Sequence, residues 1–294
     1  MPKAKKILAI VIFYFPDNEV LERLRQLSSE FDVLVIDNTE VLGSVNIISN
    51  KIFYIKNSHN YGVARALNQA LLYASEHKYD WIVTFDQDSS IVSSYSEKIF
   101  TNYDEKLNEN IAIIAPVWRR ISGTSNIPHV DDDFSGLVPV VTAITSGSCV
   151  KVEAALAVGG FDDGLFIDSV DHDFCLKLKK NGYDIVVNTN IELIHKLGNE
   201  TSRNAFLKKI YTTNHSPLRR YYISRNKIYL WCRHYRYSKE WVITDIKNTC
   251  KETIKILIFE RCRLKKFLAI VLGICHASLC VKGELSAKWK HYLR

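Results

Sequence analysis

The sequence predicts an α/β protein, with a mostly parallel central sheet flanked by helices and a helical, basic C-terminal region. Three observations carry this reading. Strand-like and helix-like segments alternate through the first 200 residues, the pattern of repeated β-α-β units. Past residue 200 the alternation stops, and three helical stretches follow near 217–235, 238–258 and 262–280. The charge divides along the same line: residues 201–294 hold 21 Lys/Arg against 5 Asp/Glu, a net of +16, which leaves 18 against 27 and a net of −9 for residues 1–200. The boundary is drawn at 210, with an α/β unit over 1–210 and a helical basic region over 211–294. The acidic part suits a divalent metal or a polyhydroxylated ligand, and the basic part an anionic surface, lipid or nucleic acid.

Each element has its own signal. Ile7 to Phe13 is continuously apolar and β-rich, as a strand covered on both faces requires. Pro16-Asp17-Asn18 breaks it, and Leu21, Leu24 and Leu27 follow at helical spacing. Asp32 to Asp37 and Lys51 to Ile55 are the next two strands. Residues 62–77 form a helix whose apolar face is Val63, Ala66, Leu67, Ala70 and Leu71. Trp81 to Phe85 is a fourth strand running into Asp86-Gln87-Asp88. A helix over 94–107 and a strand over 111–115 come next. An irregular segment then reaches about residue 145 and contains Asp131-Asp132-Asp133, which is either an active-site loop or a solvated insertion. Gly159-Gly160 is a break, 170–180 is helical, and Tyr183 to Val187 is a short strand. The run Phe267 to Val281 lacks formal charge for fifteen residues, short of the roughly 20 that a bilayer crossing needs. It reads as a buried or interfacial helix.

Composition excludes several classes. A hydrophobic fraction of 47% and a charged fraction of 24% are those of a folded protein. The seven cysteines show no close-paired spacing, and the N-terminus opens on a core-like run, which points to free thiols in a reducing, cytosolic compartment. There is no GxxxxGK[ST], and no GxGxxG after the first strand, which argues against a P-loop NTPase and a dinucleotide enzyme.

Ligands of open parallel sheets bind beyond the carboxyl ends of the strands. Two strand ends here carry acids, Asp37-Asn38 and Asp86-Gln87-Asp88. In an extended segment Asp86 and Asp88 point to one side, the arrangement by which two oxygen ligands tie Mg²⁺ or Mn²⁺ to a diphosphate. The alternative is a cap or Asx-turn at Asp88-Ser89-Ser90. Asp168, Asp171 and Asp173 form a second cluster. With the helix begun by Asp168, that residue and Asp171 share a face and suit a general base; a solvated helix start, favoured by the dipole, is the alternative. His195, after the apolar Ile191–Ile194, is either a metal ligand or a structural histidine.

In this order the features resemble the GT-A-fold glycosyltransferases of family 2, inverting enzymes that use nucleotide sugars. The resemblance spans about residues 7–235 and rests on Val35-Ile36-Asp37-Asn38, Asn60-x-Gly62-x-Ala64-x-x-x-Asn68, Phe85-Asp86-x-Asp88, Gly147, Gly159-Gly160-Phe161-Asp162 and Phe166-Ile167-Asp168-x-x-Asp171-x-Asp173. Each motif is weak alone, and together they are specific. The resemblance implies that Asp37, with Asn38 and Asn60, contacts the donor, that Asp86 is the donor-site acid and Asp88 the metal-coordinating acid, and that Asp171 is the catalytic base. It places His195 near the metal or diphosphate, and Phe166, Asp168 and Gly147 toward the acceptor. Many members carry Glu-Asp at the base where this chain has Val170-Asp171, so the second acid is either Asp168 or dispensable. Tyr221-Tyr222-x-x-Arg225-Asn226 resembles a segment of bacterial rhamnosyltransferases. Arg225 suits an oxyanion of the donor there; a surface or helix-pairing arginine is its plain reading.

The implied donor is dTDP-L-rhamnose, with a UDP-hexose or UDP-galactofuranose as the alternative. The implied acceptor is a lipid-linked saccharide, as in O-antigen or other cell-surface polysaccharide synthesis. The basic tail then sits peripherally on the anionic cytoplasmic face of a bacterial membrane. The rival of another class is a nucleic-acid-binding protein, supported by interleaved cations and aromatics such as Arg225, Tyr229, Trp231 and Arg233. The carboxylates at the strand ends repel phosphate without a metal, so no nucleic-acid partner is expected. A nucleotidyltransferase is disfavoured because Phe15-Pro16-Asp17-Asn18 is no glycine-rich basic loop.

Overall fold

A computed structural model of the chain describes residues 5–17, 19–40, 49–87, 89, 92–119, 136–194, 201–205 and 208–293. The chain falls into two compact units, Met1–Asp163 with Asp171–His195, and Gly164–Val170 with Lys196–Arg294.

The first unit opens with β1 (Ile7–Phe13), α1 (Val20–Glu30), β2 (Asp32–Asp37), β3 (Ile52–Lys56), α2 (Val63–Glu76) and β4 (Trp81–Phe85). It continues through α3 (Tyr95–Lys98), β5 (Ile111–Arg119), β6 (Leu137–Pro139), β7 (Cys149–Lys151), α4 (Val152–Ala157), α5 (Val170–Lys180) and β8 (Asp184–Ile194). The eight strands form one sheet in the order β3-β2-β1-β4-β7-β5-β8-β6. The pairs β1–β2, β2–β3, β1–β4 and β5–β8 are parallel, while β7 runs antiparallel to β4 and β5, and β6 to β8. Ala9, Val11, Val33, Val35, Trp81 and Val83 face one layer with Leu24 and Leu27 of α1 and Tyr95 of α3. The alternate residues Leu8, Ile10, Leu34, Ile36 and Ile82 are equally buried on the other face, where α2 lies against β1, β2 and β4. Covering both faces explains why these strands read as unbroken apolar runs.

Three expectations change. The helix expected over 94–107 spans Tyr95–Lys98, because Asn188 donates its side-chain amide to the carbonyls of Ile99 (3.0 Å) and Thr101 (2.8 Å) and so caps the short helix. The strands expected over 111–115 and 183–187 run on to Arg119 and Ile194, since each pairs with the other along its length. The short antiparallel β6 and β7 and the helix α4 carry too little periodicity to be seen in sequence. The acidic run at 131–133 lies outside the described residues.

The second unit contains the hairpin β9 (Thr201–Ala205) and β10 (Lys208–Thr212), followed by α6 (Pro217–His234), α7 (Lys239–Phe259), α8 (Arg263–Ser278) and α9 (Ala287–Leu293). Ser216 caps α6 by accepting from the Arg219 amide at 3.2 Å, with Pro217 at the first helical position. Tyr221 and Tyr222 of α6, Ala269 of α8, Phe166, Leu285 and Leu293 form its core. Glu260 is clamped between Arg220 (2.8 Å) and Lys266 (2.8 Å), all three buried. Among the described residues, no helix is long and apolar enough to cross a membrane.

Candidate active site

The carboxyl ends of β1, β2, β3 and β4 share one edge, because all four strands are parallel neighbours. Register sets Asp37 beside Phe13 on one side and Lys56 on the other. Asp37 is 2% exposed, and its carboxylate accepts from the Thr39 amide (2.7 Å), Lys56 Nζ (2.9 Å) and the Tyr54 hydroxyl. Burial works to raise the Asp37 pKa, but these donors outweigh it and hold the carboxyl below its ordinary value; burial, reinforced by the Asp37 contact, pushes the Tyr54 phenol up. Asn38 is buried as well: it donates to the Gly62 carbonyl (3.1 Å) and accepts from Asn57 (2.8 Å). Asn60 closes a turn by accepting from the Gly62 amide at 2.9 Å, and Gly62 takes φ 84°, a conformation that suits glycine. These residues shape the edge. The surface itself includes Tyr14 and Phe15, 42% and 55% exposed and packed edge to face at 4.8 Å. Open aromatic faces of this kind offer a stacking surface to a nucleobase.

Asp86 follows β4 and is exposed. The strand stops at Phe85, and the Ser89 amide donates to the Asp86 carbonyl at 2.9 Å, closing a turn. Among the described residues, extended two-residue alternation therefore ends at Phe85. Gln87 ties this turn to β1, accepting from the Tyr14 amide at 2.9 Å, while its carbonyl accepts from Arg23 at 2.8 Å. Asp88 and His195 lie outside the described residues. Among the described residues, no group of three or more His, Cys, Asp or Glu side chains is arranged to hold a metal ion. Among the described residues at this strand end, Asp86 offers an exposed carboxylate, a hard oxygen donor of the kind Mg²⁺ and Mn²⁺ take.

Two further motif glycines are tightly packed. Gly160 (φ 65°) leaves no room for a side chain, since a Cβ there would lie 2.4 Å from Asn68 Oδ1. Gly147 is as tightly enclosed: a Cβ would lie 2.7 Å from the Tyr95 hydroxyl and 2.9 Å from Pro116. That enclosure explains why glycine stands there. Asp171 lies in the first turn of α5 with its side chain 22% exposed, whereas Asp173 is fully buried.

The helix begins at Val170, and Asp168 and Ser169 take φ 65° and 62°. Asp168 is therefore outside the helix and does not share its face with Asp171. In the second unit its carboxylate accepts a forked contact from Arg219, through Nη2 at 2.9 Å and Nε at 3.1 Å. Phe166 is 7% exposed and stacks on Tyr222 at 5.2 Å, so it belongs to the core rather than to an acceptor surface. Arg225 is corrected as well. It is 0% exposed and donates to the carbonyls of Gly283 (2.6 Å), Leu165 (3.0 Å) and Gly164 (3.3 Å). With its fork filled by backbone carbonyls it is a clamp, not a phosphate ligand. Asn226 completes the clamp by donating to Leu165, Ile167 and Asp168 carbonyls at 2.7–2.9 Å. Sequence reasoning missed Lys56, Tyr54, Gln87, Arg219 and Asn226 as partners; the signal was present for Asn226 alone, beside Arg225.

A cleft of about 420 Å³ lined by Lys106, Asn110, Pro139 and Asp184 lies at the opposite, N-terminal ends of β5 and β8. It is remote in topology from the acidic edge.

Residues 10–137 match the model of Glycosyl transferase family 2. The chain is 30% identical over 244 residues to the dTDP-rhamnosyl transferase RfbF of Shigella flexneri, covering 76% of this chain and 79% of that one. The chain belongs to glycosyltransferase family 2. As expected of such a glycosyltransferase, the fold is GT-A, with a mixed, mostly parallel sheet and a helical C-terminal region. GalNAc-T7, solved with UDP, GalNAc and Mn²⁺, matches with a TM-score of 0.59 at 10% identity, over 82% of this chain and 50% of that chain. S. aureus TarS matches with a TM-score of 0.52 at 15% identity, over 98% and 45%. This family 2 chain thus spans about half the length of both solved chains, and at such identity the likeness is one of fold.

Proposed function

We propose that this glycosyltransferase moves L-rhamnose from dTDP-L-rhamnose, with inversion, onto a lipid-linked saccharide at the cytoplasmic face of a bacterial membrane. The observation that carries the donor is the 30% identity to a dTDP-rhamnosyl transferase over three quarters of the chain. The carboxyl edge supports the binding of a nucleotide: it presents the Tyr14–Phe15 aromatic pair beside an edge braced by Asp37, Asn38 and Asn60. Asp37 is nearly enclosed, so its contact with a donor base uses a lone pair left over on an oxygen that is already bonded.

Asp171 takes the proton of the acceptor hydroxyl as that oxygen attacks C1 of the sugar from the face opposite the diphosphate. One bond forms, the bond to the diphosphate oxygen breaks, and the anomeric centre inverts. Its half-buried position at the helix start lets a carboxylate meet a hydroxyl while much of the surrounding water is excluded. Mg²⁺ or Mn²⁺, which Asp88 would hold with His195 near the metal or diphosphate, would supply positive charge to the departing nucleotide. The acceptor reading follows from the family resemblance, and the basic C-terminal region agrees with a membrane-side substrate.

Calorimetric binding of dTDP-L-rhamnose, UDP-hexoses and UDP-galactofuranose, with and without Mg²⁺ or Mn²⁺, tests the donor. Metal-dependent preference for dTDP-L-rhamnose, weakened by Asp88→Ala, is expected. Preference for a UDP-sugar overturns the rhamnosyl assignment while leaving the family intact.

A further inference from the structure

From Phe267 onward the helix α8 is apolar on two opposite sides. Lys266, Ala269, Gly273 and Ala277 form its buried stripe. Gly273 brings it so close to α6 that a Cβ would lie 2.6 Å from the Tyr221 carbonyl oxygen and 3.0 Å from the Arg225 amide nitrogen. That contact fixes which side of the helix faces away. The outward side carries Leu264, Phe267, Leu268, Val271 and Ile274, between 39% and 70% exposed. At 3.6 residues per turn they cover roughly a third of the circumference, opposite the buried stripe. From Phe267 to Ser278 there is no Lys, Arg, Asp or Glu. A surface helix ordinarily turns a charged face to water, and one that is apolar all round is covered by something.

We infer that this outward face of α8 docks on an anionic lipid bilayer. The inference deepens the membrane-side acceptor reading by naming the surface that does the docking. The charges around the face select the occupant. Residues 261–282 contain five Lys/Arg and no Asp or Glu; Arg261, Arg263 and Lys265 are exposed at one end of the helix and Lys282 lies exposed beyond the other. A second copy would set one region of net +16 against another, and like charge opposes that pairing. Phospholipid headgroups of negative charge meet the rim, and the apolar face enters the headgroup–acyl boundary. With its 16 residues α8 is about 24 Å long, short of a hydrocarbon core of about 30 Å. With one side already packed on α6, it lies in the membrane plane rather than across it. On α9, Trp289 and Tyr292 are 38% and 55% exposed, side chains of the type that settles at the membrane–water boundary.

Co-sedimentation of the full chain with phosphatidylcholine vesicles, with and without phosphatidylglycerol, tests the inference. Wild type is expected to pellet with the anionic vesicles and to stay in solution with the neutral ones. The double variant Phe267→Ser/Val271→Ser, both positions solvent-facing, is expected to melt like wild type and to lose at least tenfold in vesicle affinity. Arg263→Glu/Lys265→Glu is expected to lose affinity at low salt and to flatten its salt dependence. Leu107→Ser, at a residue 84% exposed in the other unit, is expected to bind as wild type does. Equal pelleting of wild type and the apolar double variant overturns the inference. So does a wild-type dimer in solution that the same substitutions dissociate, which would make a second copy the occupant. Donor binding in vesicle-free buffer is read separately: its loss with vesicle binding intact sinks the glycosyl-transfer reading and leaves the docking face standing.

Discussion

Asn68 and Phe161 meet across 93 residues of sequence like two strands of a sheet: Asn68 Oδ1 accepts from the Phe161 amide at 2.8 Å, and Asn68 Nδ2 donates to the Phe161 carbonyl at 2.9 Å. One side chain thus satisfies both backbone polar groups of a distant residue and fastens α2 to the segment before α5. Asn68→Ala leaves a part-buried amide and carbonyl unanswered. It is expected to cost about 2 kcal/mol of stability, measured by urea unfolding, and Asn68→Asp to be nearly as harmful because it loses the donor.

Arg225 distinguishes a clamp from a ligand contact. Its carbonyl partners on Gly164, Leu165 and Gly283 are buried or part-buried, and lysine has no fork to serve three of them. Arg225→Lys and Arg225→Met are both expected to lower stability by about 3 kcal/mol or more, read as a lowered melting temperature of the full chain. A donor-binding arginine would instead leave the melt unchanged and weaken nucleotide affinity.

The ion pair of Asp37 with Lys56 gives a pH dependence of definite sign. The folded Asp37 pKa is lowered from 3.8, so its contribution is fully present above that value and is lost as pH falls through the lower folded value. Lys56→Met removes a leading opponent of burial and raises the Asp37 pKa. Acid unfolding of the variant is therefore expected to begin at higher pH than in wild type, while the two curves converge once Asp37 is protonated in both.

Phe15 tests the exposed aromatic edge. It is 55% exposed and takes φ 49°, so Phe15→Ala removes little packing. With a nucleobase stacked there, the substitution weakens donor binding by about 1–3 kcal/mol, roughly tenfold or more, with the melting temperature unchanged. Calorimetry on dTDP alone reads this without the sugar.

The strands β1, β2 and β4 and helices α1 and α2 were legible because each strand buries two faces, and each helix one stripe, within a single segment. What escaped was decided by pairing at a distance. β7 has three residues, and its place between β4 and β5 comes from partners over 30 residues away. The acids at strand ends were legible by type and position, yet Lys56 beside Asp37 depends on β2–β3 register. Burial was the least visible property: Arg225, Phe166 and Gly147 stood in recognisable motifs, and the structure accounts for all three by packing. Of the acids given chemical roles, Asp86 is exposed and Asp171 part-exposed, while Asp88 lies outside the described residues.

The central claim is tested most directly by turnover of dTDP-L-rhamnose, in the presence of Mg²⁺ or Mn²⁺, by wild type and Asp171→Asn. Rhamnosyl transfer by wild type, with kcat lower by about 100-fold or more in the variant and an unchanged donor Kd, is the predicted result. Wild-type turnover by Asp171→Asn, or no turnover of dTDP-L-rhamnose by a folded wild type while a UDP-sugar is consumed, would contradict it.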